Sequence, residues 1–174
     1  MKITFLGTGT SQGVPVIACD CMTCLSQDPH DKRLRTSLLL EKDGTTLLFD
    51  AGPDFRQQML RENIRKLDGI LLTHEHKDHI AGMDDVRAFN YKSQDAIDIF
   101  AEDRVQKAVK REFSYVFAEY QYPGIPRMRL NPVTDYNFTF RFIKELNKYL
   151  EVKHQSVFLN FIWSNSPHEQ QNFI

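Results

Sequence analysis

Apolar and polar residues alternate through "KITFLG" (residues 2–7), and that period of two predicts a strand. "GTGTSQG" then breaks the regularity with glycines suited to close backbone approach. "SLLLE" and "TTLLFD" read as two further strands, joined at Asp43-Gly44, a hairpin turn signal. Pro53-Asp54 opens a helix whose apolar face is Phe55, Met59 and Leu60. The short apolar run "LDGILLT" predicts a buried strand that ends next to His74, where α/β sheets commonly place their chemistry. A helix is expected from about Asp78 to Tyr91, then a strand at "AIDIFAE" and a helix over "DRVQKAVKREFSYVF". Val105, Val109, Phe113 and Phe117 form one stripe of that last helix and read as core. The predicted order is β-β-β-α-β-α-β-α, a layered α/β arrangement.

Beyond "YPGIPRMRLNP" the pattern loses definition. Gly124 is the last glycine and Ala118 the last alanine, so any turns in the final 50 residues must do without glycine. "FTFRFI" could still form a strand and "KELNKYLEV" a helix or strand. We divide the chain into a well-patterned region, 1–140, and an atypical tail, 141–174. The tail's bias towards Phe, Ile, Leu, Asn, Lys and Tyr is what an A/T-rich gene read in a shifted frame would encode, so a truncated or frameshifted chain is expected.

Composition narrows the function classes. A chain of 174 residues fits one domain, and a net charge of -1 gives no electrostatic case for nucleic acid or membrane as a partner. No apolar run approaches a membrane span and no secretory leader opens the chain, so a cytoplasmic location is expected. The three cysteines, Cys19, Cys21 and Cys24, all lie in "CDCMTC". An odd count in a reducing compartment argues against a disulfide framework. Thiolates at this spacing can instead converge on a soft cation, and they supply three of the four ligands of a closed Zn²⁺ site.

The densest chemistry is "LLTHEHKDHIAGMDD". Three of the six histidines, His74, His76 and His79, fall within six positions, with Asp78 among them. That is too concentrated for an ordinary solvated turn. In H-x-H the two rings can reach the same side, and Asp78 and His79 open the next helix pointing back towards them. Neutral imidazoles with a carboxylate suit Zn²⁺, Mn²⁺ or Fe²⁺, and such ions bring the pKa of bound water from 15.7 towards roughly 7. One ion could be held by His74 and His76, a second by Asp78 and His79. His30, alone among Asp28, Pro29 and Asp31, reads as a surface residue.

"THEHKDH" resembles the T-H-x-H-x-D-H signature of the metallo-β-lactamase superfamily. "FLGTGTSQGVP", "CDCMTC", "RLRTSLLL", "LFDAGPDFR" and "IAGMDDVR" are similar to the branch containing the phosphoribosyl cyclic phosphodiesterases. The likeness runs from about Met1 to Phe138. It implies an αββα sandwich of two βα halves, with the N-terminal half intact here and the C-terminal half largely missing. It implies a two-metal site of Zn²⁺ or Mn²⁺, with His74 and His76 on the first ion and Asp78 and His79 on the second. Asp78 would also handle protons, and Asp50 would orient the ligand imidazoles. Cys19, Cys21 and Cys24 would hold a separate structural Zn²⁺, completed by a histidine near the C-terminus. Arg35, Asp84, Asp85 and Arg87 match family positions and read as structural ion pairs.

His154 sits at about the family distance for the third histidine of the first ion, and His168 fits no ligand position. No aspartate follows Asp135 to bridge the ions. The reaction implied is hydrolysis of a small cyclic or nucleotide-like phosphodiester by metal-activated hydroxide. The rivals are an inactive metal-binding remnant and a ribonuclease Z-like tRNA-processing hydrolase. Without a second half, one sheet face would stay apolar and open, and a second copy could cover it as a homodimer.

Overall fold

The structure, a computed structural model, describes residues 1–133. Six strands form one sheet in chain order: β1 (Lys2–Gly7), β2 (Ser37–Lys42), β3 (Thr45–Phe49), β4 (Gly69–Leu71), β5 (Ile97–Ala101) and β6 (Met128–Pro132). β2 pairs antiparallel with β1 on one side and β3 on the other, and β3 to β6 are parallel. Parallel neighbours need crossovers, and these carry the helices: α2 (Phe55–Arg61), then α3 (Lys77–Ile80) with α4 (Arg87–Ser93), then α5 (Asp103–Glu112). A short α1 (Met22–Leu25) lies in the cysteine loop. The α/β class expected from the sequence is the one observed.

The central strands β2, β3 and β4 carry apolar residues on both faces. Leu39, Leu48, Ile70, Ile97 and Ile99 pack with Phe55 and Met59 of α2, Ile80 of α3 and Val105 and Val109 of α5 in the main core. Leu38, Leu40 and Phe49, with Ile3 and Leu71 against them, form a second cluster. Burying each such aliphatic side chain contributes about 1.5–3 kcal/mol. The hairpin turn falls where expected, with Asp43 at φ 50° and Gly44 at φ 80°, the pair of positive angles a type I′ turn requires.

Three local expectations differ from what is observed. The helix expected over 78–91 is broken into α3, a 3₁₀ turn at Met83–Val86, and α4. The break comes where Gly82 meets the 51–52 turn: its N–H donates to the Ala51 carbonyl at 2.8 Å, and a Cβ on Gly82 would stand 2.1 Å from the Gly52 carbonyl oxygen. The helix through Phe117 ends instead at Glu112, because Phe113 leaves helical geometry (φ −114°, ψ 42°), and a 3₁₀ turn at Ser114–Val116 then tucks Val116 into the core. β6 was not foreseen. Its Pro132 is tolerated because the strand is the last in the sheet order among the described residues and the proline closes it. The expected elements at "FTFRFI" and "KELNKYLEV", and the boundary near residue 140, lie outside the described residues.

Candidate metal centre

β4 delivers its chain end to the site. Asp50, immediately after the neighbouring β3, donates its N–H to the Leu71 carbonyl at 3.0 Å, so the ends of two parallel strands lie side by side. The chain leaves β4 through Thr73, passes His74 and Glu75 in open geometry, and enters α3 with His76 as N-cap. Extended backbone at His76 followed at once by a helical turn brings together side chains that stand two positions apart. One donor atom from each of His74, His76 and Asp78 lies within 4.8 Å of the others. The His74 ring centroid is 4.8 Å from that of His76 and 3.7 Å from that of His79. His79 Nε2 lies 3.0 Å from Asp78 Oδ2. All four residues singled out in the sequence therefore share one place.

Asp50 organises the cluster from beneath. It is fully buried and adopts φ 60°, a left-handed conformation that aspartate tolerates better than most residues. Its Oδ2 lies 2.7 Å from His79 Nδ1 and accepts the Thr73 hydroxyl at 2.8 Å, while Oδ1 accepts the Thr73 N–H at 2.8 Å. The Thr73 hydroxyl oxygen lies 3.0 Å from His74 Nδ1. One buried carboxylate thus fixes the His79 ring directly and the His74 ring through Thr73, leaving the far edge of His79 turned to Asp78. Thr73 belongs to the quoted motif, but its bridging role was not legible from spacing.

The rings differ electrostatically. Burial, reinforced by the neighbouring His79, lowers the His74 pKa below its ordinary value and keeps that ring neutral. Burial pushes His79 the same way, but its hydrogen bond to Asp50 and the charges of Asp50 and Asp78 outweigh that, and its pKa is raised.

The turn after Asp50 clamps the loop at its other end. Ala51 N–H donates to the His79 carbonyl at 2.7 Å, and a Cβ on Gly52 would stand 2.0 Å from the Asp78 carbonyl oxygen. Gly52→Ala must therefore push α3 away from the strand ends. We expect a loss of at least about 2 kcal/mol, measured by urea unfolding.

A family model for the beta-lactamase superfamily domain matches residues 45–168, which includes every residue of this cluster. The chain belongs to the beta-lactamase superfamily. Among curated proteins, an octanoyltransferase of Porphyromonas gingivalis is 47% identical over 131 residues, covering 75% of this chain and 26% of that protein. Among solved structures, a diphosphatase from the PhnP family is 42% identical with a TM-score of 0.68, covering 75% of this chain and 49% of that one. Zn²⁺-bound PqqB from Methylobacterium extorquens shares the fold at 21% identity and a TM-score of 0.61, covering 78% of this chain and 47% of its own. The chain spans about a quarter to a half of the length of these relatives.

The other expected residues of this beta-lactamase superfamily chain sort as follows. Arg35 pairs with Asp54 at 2.8 Å and also takes that carboxylate on its backbone N–H at 2.7 Å, so it ties the loop before β2 to the start of α2. Arg87 pairs with Asp84 at 3.3 Å, and Asp84 also accepts the Tyr115 hydroxyl at 2.5 Å. Arg35, Asp84 and Arg87 are in ion pairs, as read from the sequence, whereas Asp85, half-buried, forms none among the described residues. His30 is a surface residue, its ring 2.7 Å from Asp28. Cys19, Cys21 and Cys24 are free, and their sulfurs lie within 4.8 Å of one another. His154 and His168 lie outside the described residues. Among the described residues, no helix is long and apolar enough to cross a membrane.

Proposed function

We propose that this chain is a metal-dependent hydrolase acting on small cyclic or nucleotide-like phosphodiesters. The observation that carries the reading is the convergence of His74, His76 and Asp78 donors within 4.8 Å, beside a His79 held by buried Asp50. The 42% identity to a PhnP-family diphosphatase favours phosphorus as the centre attacked.

The donor set fits divalent cations of borderline softness: imidazole nitrogens, at least one kept neutral by burial, and carboxylate oxygen. His74 and His76 would hold one ion, Asp78 and His79 a second. When bound, such ions bring coordinated water to a pKa of about 7 and offset charge gathering on the phosphoryl oxygens. The protein's own contributions are separable from that. Asp50 and Thr73 fix ring orientation before any cation arrives, so little reorganisation is left for the reaction. His76 is exposed, so its ring stays open to solvent while His74 and His79 are buried. Asp78 is half-buried and within hydrogen-bond reach of His79, a position suited to holding or passing a proton. The three cysteines would hold a separate structural Zn²⁺, and substrate aside, a second copy of the chain is the partner we propose.

Uptake at this centre carries a pH signature. The His79 pKa lies above its ordinary 6.5, so the metal-free protein keeps that proton through and somewhat above pH 6.5, and a cation must displace it. Affinity for zinc is expected to strengthen as pH rises across that window. Competition titrations between about pH 6 and 8 check this, and His79→Asn should flatten the upper part of the profile.

The activity test is hydrolysis of bis(p-nitrophenyl) phosphate in added Mn²⁺. Turnover abolished by His76→Ala supports the proposal. Metal uptake without turnover in the wild type refutes hydrolysis and leaves a metal-binding protein, and cleavage of a tRNA precursor instead would assign a ribonuclease Z-like activity.

A further inference from the structure

The motif H-E-H-K-D-H leaves two side chains, Glu75 and Lys77, without a part in holding metal. Both reach the same helix. Glu75 Oε1 lies 2.7 Å from Arg104 Nη1 in the first turn of α5, and Lys77 pairs with Glu112 in its last turn. α5 is itself fixed in the core by Val105, Ala108 and Val109. The loop is thus gripped on one side by the Asp50–Gly52 turn and on the other by the two ends of a buried helix.

The Glu75 grip has a further feature. Its Oε2 is shut off from solvent and has no hydrogen-bond partner among the described residues, so the carboxylate depends on Arg104 alone for compensation. A carboxylate in that state is costly unless its one cation stays in place. The ion pairs themselves are partly exposed, with Arg104 50% and Lys77 66% accessible, so they contribute little to global stability. Their consequence is local: they set where the backbone of residues 75–77 lies, and with it the aim of His74, His76 and Asp78.

We infer that Glu75 and Lys77 are positioning residues, which hold the metal loop in register against α5 through Arg104 and Glu112. The inference rests on the metal-site reading above for its consequence, but its mechanical part does not need a metal. The experiment therefore has two readouts on the full chain. Amide hydrogen exchange of the metal-free protein follows His79 N–H, bonded to the His76 carbonyl, and Ala81 N–H, bonded to the Lys77 carbonyl. Arg104→Met and Glu75→Gln should each speed exchange at both amides about ten-fold while core strand amides stay unchanged. Zinc affinity, measured by chelator competition, should fall about ten-fold in the same variants. The Glu75→Gln/Arg104→Met double variant should be no worse than either alone, and Arg104→Lys should restore exchange.

Unchanged loop exchange in both single variants would overturn the inference, as would acceleration shared equally by the core strands. If loop exchange responds as expected but the wild type takes up no zinc at this loop, the clamp stands and the metal-site reading fails.

Discussion

Asp50→Ala is expected to cost about 3–5 kcal/mol of folding stability, the range seen when one partner of a buried charged pair is removed. The side chain is fully buried and satisfies three donors at once: the Thr73 N–H, the Thr73 hydroxyl and the His79 ring. Truncation leaves each of them facing a void too enclosed for easy solvation. It also places alanine at φ 60°, where a Cβ is strained and aspartate or asparagine is better tolerated. Asp50→Asn separates the two roles. Asparagine keeps the shape and the left-handed backbone, and its carbonyl can still accept from Thr73, so most of the stability should return. Its amide, however, donates where the carboxylate accepted, so the His79 ring must change the nitrogen that carries its proton. We expect zinc affinity to stay down by about 10- to 100-fold in Asp50→Asn. Chemical denaturation read beside zinc competition distinguishes the outcomes, and a stable Asp50→Asn protein with wild-type affinity would remove Asp50 from the account of the metal centre.

The second large effect is expected at the cysteine loop. Cys19, Cys21 and Cys24 are brought together by the turn that leads into α1 and by the Val16 N–H, which lies 3.3 Å from Cys24 Sγ. The Cys24 backbone N–H, with the Cys19 and Cys24 thiols, pulls the Cys21 pKa below the usual thiol value. Against the pull of the Val16 N–H, the Cys24 pKa is pushed up by Cys19, burial and Cys21, so Cys21 is the thiolate a soft cation would meet first. A structural zinc is worth on the order of 10 kcal/mol where four ligands are present, and the three thiols supply three of them. Purified protein should therefore carry zinc that Cys21→Ser loses, and chelation should lower the thermal midpoint of the wild type far more than that of the variant. Equal midpoints with and without chelator would mean that the three thiols bind no structural ion.

Much of this architecture could be read from residue pattern. The period-two run located β1, the apolar runs either side of the Asp43-Gly44 turn signal located β2 and β3, and the unbroken apolar run located β4 with His74 beyond its end. The stripe at Val105 and Val109 marked α5. What escaped depends on contacts distant in sequence. The break at Gly82 exists because the 51–52 turn, about thirty residues earlier, occupies the space a continuous helix would need. β6 is five residues among prolines and arginines, and only its Met128 and Leu130 packing against the core distinguishes it from loop. At the site, the crowding of His74, His76, Asp78 and His79 was plain from spacing, and the part of Asp50 followed from resemblance. Glu75 and Lys77 carry no signal in the sequence, because their partners on α5 lie 29 and 35 positions away.

The most direct test of the centre uses Mn²⁺, a cation that prefers oxygen and imidazole donors to thiolates and so reports on this site apart from the cysteines. Electron spin-echo envelope modulation of the Mn²⁺-loaded protein detects nitrogen bound to the ion. The account predicts imidazole nitrogen modulation in the wild type that is lost in the His74→Ala/His76→Ala variant. Modulation that is absent in the wild type, or that survives unchanged in the variant, would contradict it.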